Sequence, residues 1–285
     1  MTNVDTSILD HATGRAAELA KAHSAEQPLK LYAGWFCPFV QRSWIVLEEK
    51  RIPYQYIEIN PYHKSPDFLA LNPRGLVPTL AVPHATTSTG DKQQTKPLYE
   101  STIIDEYLDE AYADQSAHGP PLLPADPYQR ARCRIWIEHC GKIVAGFYKV
   151  LQHTPGKSTY GAEEAREAFC GPIKTLVEHM AVDGGPWFLG AEFSLVDVTL
   201  APFARRLWLL DHYKPNWGGM PDGDDEGDKR IAQRWKVWVD ACLARESVVA
   251  TSSDDAAYID VYRRYAEDRT NSKVAQATRT GDKLP

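Results

Sequence analysis

The chain has 285 residues, 43% of them hydrophobic, enough to bury a sizeable core and a length that fits two modest domains. A formal net charge of −6 and a pI near 5.9, with 32 Lys and Arg scattered along the chain, exclude the basic face that a phosphate backbone requires, so no nucleic-acid partner is expected. Residues 1–27 hold no secretory-type apolar run, and no stretch of about 18 apolar residues occurs, so neither a signal segment nor a membrane partner is expected. Five cysteines, widely spaced and without a CxxC pair, read as the reduced thiols of a cytoplasmic protein.

LKLYAG (29–34) is a short β-type run, and VQRSWIVLEEK (40–50) is an amphipathic helical pattern. YQYIEIN (54–60) follows as a second strand, closing a strand–helix–strand unit whose strands run parallel. SPDFLALNP (65–73) reads as a short helix stopped by proline. LVPTLAV (76–82) and KPLYES (96–101) are two more strands, flanking an insertion at 84–95 too polar to bury. STIIDEYLDEAY (101–112) offers apolar positions at helical spacing.

Residues 113–127, rich in Pro, Ala and Asp, read as a linker. Beyond them the pattern is helical: YQRARCRIWIEHCGKIVAGFYKVLQ, EEAREAFCGPIKTLVEHM, SLVDVTLAPFARRLWLLDHY and KRIAQRWKVWVDACLARE. This places a small α/β domain at 28–112 and an all-α domain at 126–265, with extensions at 1–27 and 266–285. The acidic stretch within 218–229 reads as a surface loop, and residues from Ala266 onward, lacking periodicity, are expected to be disordered.

The candidate chemistry starts at GWFCPFVQRSW (34–44). Cys37 follows the first strand, and Pro38 suits the first helical position, where a missing N–H costs nothing. The sulfur is thereby placed at a helix N-terminus, where the dipole and direct N–H donation favour a thiolate. The position three residues on is Val40, so any disulfide chemistry is monothiol and needs an external second thiol. The residues alone leave two readings open, a nucleophile or a small hydrophobe buried in an apolar turn; for Cys133, Cys140, Cys170 and Cys242, inside helical patterns, core packing is expected. In Val77-Pro78-Thr79 a cis bond would leave the Val77 backbone available to an extended peptide, whereas a trans bond would make an ordinary strand edge. Ser101, after Glu100, is a good N-cap whose N–H and hydroxyl suit a carboxylate, with Glu100 placed to meet an ammonium group; a plain helix cap is the other reading.

Taken in order, strand–CPF–helix, NPRGLVPTL and LYES followed by a helical domain resemble the cytosolic glutathione transferases, and Cys-Pro-Phe in place of a tyrosine or serine looks like the omega class. The resemblance spans roughly residues 28–250 and includes FSLVDVTLAPF, where Ser194 and Asp197 can cap reciprocally and Phe193 can staple to Val198. It implies an α/β thioredoxin-like N-terminal domain plus an all-α C-terminal domain. Residue by residue, it implies that Cys37 is the reactive thiol with Phe39 beside it, and that Val77, before a cis Pro78, pairs by backbone with the cysteinyl part of glutathione. It further implies that Glu100 and Ser101 bind the γ-glutamyl end and that Lys64 meets the glycine carboxylate. A co-substrate pocket is expected between the domains, walled by Trp35 and Phe36 and by aromatics such as Phe147 and Tyr148. No metal is called for, and a homodimer is the family default. The longer segments at 84–95 and near 220 depart from the family pattern.

The same resemblance, with a cysteine where conjugating members carry tyrosine or serine, implies thiol exchange: glutathione-dependent thioltransferase and dehydroascorbate reductase activity, with reductive deglutathionylation as a further activity. Two rivals remain. One is a non-catalytic binding or regulatory protein of the same fold; the other is an intracellular chloride-channel-like protein, against which stands the interruption of residues 29–49 by Pro38, Gln41 and Arg42.

Overall fold

The computed structural model describes residues 8–84, 94–220 and 226–282; most of the expected insertion at 84–95 and part of the acidic loop at 218–229 lie outside the described residues. In chain order, α1 (Gly14–Ala22), β1 (Lys30–Ala33), α2 (Pro38–Glu49), β2 (Gln55–Glu58), α3 (Pro66–Leu71), β3 (Thr79–His84), β4 (Gln94–Tyr99), α4 (Ser101–Ala111) and α5 (Gln115–His118) form the first part of the chain. The sheet order is β2-β1-β3-β4, with β1 parallel to β2 and antiparallel to β3, and β3 antiparallel to β4. In β1 the alternation of Leu31 and Ala33, both fully buried, with half-buried Lys30 and Tyr32 is the period of a strand with one core face. β1 and β2 are joined through α2, the crossover that parallel neighbours require.

The α2 pattern looked amphipathic, yet the helix is buried on nearly every side from Val40 to Leu47. It packs against α4 and against α11 (Glu246–Ala250), a segment distant in sequence. Buried Gln41 donates to Thr251 Oγ1 (3.1 Å) and Ser252 Oγ (3.0 Å). The α1 amide of Ala16 donates to Ser252 O (3.2 Å). Residues 246–257 therefore form one unit with residues 8–121, whereas the sequence pattern had assigned them to the helical domain and left α1 as an extension. At its C-terminal end α2 is fastened by the buried Lys50, whose Nζ reaches Asp109 of α4 (3.0 Å) and the Pro120 carbonyl (3.4 Å).

The second unit comprises residues 122–245 and 258–282. It contains α6 (Pro127–Gln152), α7 (Ala162–Glu178), α8 (Leu195–Ala204), α9 (Trp208–Tyr213), α10 (Glu226–Ala244), most of α12 (Asp255–Ala266) and α13 (Lys273–Thr280). α6 and α7 approach so closely at Gly146 that a Cβ there would lie 2.4 Å from the Ala168 carbonyl oxygen. Cys133, Trp136 and Cys140 occupy the buried face of α6, the core packing expected of the two cysteines. The capping box at Ser194 and Asp197 is present, and the buried Asp197 also accepts from Phe188 N (2.8 Å) and Trp238 Nε1 (2.9 Å). Phe193 packs edge-on against Trp187 at 4.7 Å between ring centroids.

Two helical expectations differ from the structure. SLVDVTLAPFARRLWLLDHY is not one helix: after α8 the chain tightens, Arg206 N bonding Phe203 O (2.9 Å), and restarts as α9. At this break Arg206, fully buried, donates to Pro202 O (2.7 Å) and sits 4.5 Å from the Tyr258 ring centroid. The segment after Ala266 is not disordered throughout, because α13 is capped by Ser272 and buries Ala275 and Ala277 against α6. Small residues carry that contact, so the sequence shows no apolar stripe.

Candidate active site

The turn from β1 into α2 presents Cys37 as the N-cap, with its backbone N–H bonded to Gly34 O (2.9 Å) and its carbonyl accepting from Gln41 N (3.1 Å). Cys37 is half-buried, whereas the other four cysteines are buried. The Cys37 side chain makes no capping bond of its own, and Sγ lies 3.9 Å from the Val77 carbonyl oxygen. That contact brings together two of the residues singled out from the sequence. The Val77-Pro78 bond is cis.

The residues around this turn are held by groups the sequence reading passed over. Glu58, at the end of β2, accepts from Trp35 N (2.9 Å) and Tyr56 OH (2.9 Å), fixing the backbone two residues before the thiol. Burial pushes the Glu58 carboxyl up to about 7, those two donors opposing the shift and Asp10 adding to it. Trp35, expected to wall a co-substrate pocket, is 2% exposed and donates its indole N–H to Leu9 O (2.8 Å). Phe147 and Tyr148, expected in the same role, are buried among Phe169 and Phe203 in the helical unit. Sequence could not separate these cases, because an aromatic beside a turn or on a helix stripe reads alike in a core and in a cleft.

Strand pairing brings the remaining candidates to the same edge. Thr79, just after Pro78, stands opposite Tyr99, so the Val77-Pro78 turn is next to Glu100. Glu100 holds φ at +70°, a region that non-glycine residues avoid, and turns the chain from β4 into α4. Glu100 is thus the N-cap and Ser101 the first helical residue, so α4 starts one position earlier than the sequence suggested. The Glu100 carboxylate pairs with Arg74, whose guanidinium also lies over the Tyr99 ring at 5.6 Å. Lys64 lies along Gly75, its Nζ 3.2 Å from where a Cβ would stand, so it borders the loop that carries Val77. The missing Cβ of Gly75 leaves room for that lysine, and its φ of +61° is one that other residues rarely adopt.

Phe39 is linked to Ser101 through Arg42, whose guanidinium lies 4.9 Å from the Phe39 ring centroid and donates to Ser101 Oγ (3.2 Å). Beside it Ser43 Oγ donates to Asp105 Oδ1 (2.7 Å). Burial pushes the Asp105 carboxyl up to about 7, against the lowering influence of Ser43 and Arg42. Arg42, Ser43, Arg74 and Asp105 were missed in the sequence. Arg74 had a signal, its place inside NPRGLVPTL; Arg42 and Asp105 read as polar positions on amphipathic helices.

Residues 36–111 match the glutathione S-transferase N-terminal domain family and residues 161–241 the C-terminal domain family. The chain is 32% identical over 204 residues to glutathione S-transferase omega-1 of Sus scrofa, covering 70% of this chain and 77% of that protein. It belongs to the glutathione S-transferase family. The likeness includes the probable glutathione S-transferase parC of Nicotiana tabacum, at 30% identity over 231 residues, 81% of this chain and 91% of that one. The crystal structure of glutathione transferase Omega 3C from Trametes versicolor matches with a TM-score of 0.71 at 40% identity, over 86% of this chain and 98% of that one. The expected resemblance to omega-class glutathione transferases and the expected fold are both met. Among the described residues, no helix of this glutathione transferase is long and apolar enough to cross a membrane.

Proposed function

We propose that this glutathione transferase is a glutathione-dependent thioltransferase and dehydroascorbate reductase that works through a mixed disulfide at Cys37. One observation carries the reading: of the five cysteines, Cys37 alone is not buried, and it stands at the N-terminus of α2 beside Val77. The Cys37 thiolate attacks the glutathione sulfur of a mixed disulfide, the S–S bond breaks, and the acceptor leaves as a thiolate that takes up a proton. A second glutathione thiolate then attacks the Cys37–glutathione disulfide, releasing oxidised glutathione and restoring Cys37. The helix amides favour the thiolate over the thiol.

In this reading the Val77 backbone pairs with the cysteinyl part of glutathione and Phe39 flanks the thiol. Glu100 and Ser101 take the γ-glutamyl end, and Lys64 meets the glycine carboxylate. The setting is cytoplasmic, where thiols stay reduced, and the assembly is a homodimer, to be checked by light scattering. Intact-mass analysis after treatment with oxidised glutathione tests the chemistry. One glutathione adduct that maps to Cys37 is expected; no adduct, or one that maps elsewhere, overturns the proposal.

A further inference from the structure

Beneath the first turn of α4 lies a compact set of polar side chains. Arg42 and Ser43 come from α2, Ser101 and Asp105 from α4, and all four are buried. Two hydrogen bonds cross the seam side by side, Arg42 to Ser101 and Ser43 to Asp105. Asp105 stands one turn after Ser101 and feels the Arg42 charge.

Because Ser101 Oγ accepts from Arg42, its own hydroxyl proton is left to point at a different acceptor. The guanidinium adds positive charge behind that hydroxyl, reinforcing the positive end of the helix. An anion at this helix end feels Arg42, but it also feels Asp105. Ionised, Asp105 sets a negative charge against the guanidinium; protonated, it adds none. At a buried seam such a difference is weakly screened.

We propose that the Ser43–Asp105–Arg42 cluster sets how tightly the α-carboxylate of a γ-glutamyl group is held at the N-terminus of α4, and that the grip tightens when Asp105 takes up a proton. Arg42 and Asp105 are positioning residues, since neither has to touch the ligand. The inference rests on the reading of Glu100 and Ser101 as the γ-glutamyl end and adds the group that tunes it. The charges acting on Asp105 are Arg42 from α2 and Glu106 on its own helix. Further along the seam Lys50 and Asp109 neutralise each other at 3.0 Å, and at the β4 end Glu100 is matched by Arg74. With its carboxyl pushed up to about 7, Asp105 titrates in the working range of the protein. Glu58, likewise near 7 but on β2, is the competing source of any pH effect.

The experiment is a calorimetric titration of the full chain with S-methylglutathione, whose blocked thiol cannot ionise, from about pH 5.5 to about pH 8. Kd is expected to rise roughly three- to tenfold across that range, the span given by up to about one unit of coupling between ligand and carboxyl. Asp105→Asn, whose amide can still accept from Ser43, is expected to hold the tight, low-pH Kd throughout. Ser43→Ala removes a bond that favours the ionised carboxylate and is expected to move the rise to higher pH, a displacement that loosened packing alone does not produce; it decides the matter if Asp105→Asn fails to fold. Glu58→Gln is expected to keep the rise. A flat wild-type Kd, a rise that survives Asp105→Asn, or one that vanishes in Glu58→Gln overturns the proposal while the glutathione reading stands. Absence of binding at every pH overturns both.

Discussion

Cys37 and the four cysteines of the helical unit are the same residue placed under opposite physical conditions. Cys133, Cys140, Cys170 and Cys242 line the packed faces of α6, α7 and α10, and burial pushes Cys133 and Cys170 up to about 11 and Cys242 well above its usual value. Cys37 caps a helix at a half-buried turn with a carbonyl for its neighbour. A buried thiol is held neutral because its thiolate would lose hydration without compensation, whereas a thiol at a helix end keeps both solvent access and a favourable dipole. The fold thus sorts five chemically identical groups into four packing elements and one candidate nucleophile.

The largest expected effect comes from erasing the contrast at its source. Cys37→Ser should lower glutathione-dependent reduction of hydroxyethyl disulfide by roughly 10³-fold or more, while conjugation of an electrophile rises, because the hydroxyl can still bond a glutathione thiolate. Wild-type turnover in that variant would show that a different thiol does the work. Alkylation by iodoacetamide sharpens the comparison from the other side. At about pH 7.5 a thiol near 11 is ionised in only about 10⁻³ to 10⁻⁴ of molecules, so one fast site is expected against four that react only on unfolding. Peptide mapping that finds a second fast cysteine would break the distinction.

The helical unit should respond in stability rather than chemistry. Asp197→Ala strips acceptors from Ser194 N, Phe188 N and Trp238 Nε1 in a buried site, and about 3 kcal/mol of destabilisation is expected as a lowered urea midpoint. The alkylation rate of Cys37 in the folded protein should be unaffected. The smallest effect concerns pH. Asp105 and Glu58 keep their protons in the folded chain to about 7, but in the unfolded chain they ionise near about 4. Between those values the folded state binds more protons, so the stability these two groups contribute falls as pH rises toward 7. The melting temperature of Asp105→Asn should therefore drop less than that of the wild type between about pH 5 and about pH 7.5; equal drops would mean that Asp105 ionises normally.

The sequence by itself determined the order of strands and helices from β1 to α4, the N-terminal placement of Cys37 and Pro38 on α2, the Ser194–Asp197 cap and the burial of the helical cysteines. Each of these follows from local periodicity or cap chemistry, which adjacent residues dictate. Only the tertiary structure decided that residues 246–257 join the α/β unit, that Trp35 turns inward to Leu9, and that Arg42 reaches Ser101 beside the Ser43–Asp105 bond. Those outcomes depend on partners distant in sequence, such as Gln41 with Thr251, and on whether a polar residue of an amphipathic pattern finds solvent or a second helix. A side chain's neighbours across a seam leave no imprint on the residues beside it in the chain, so packing alone could fix them.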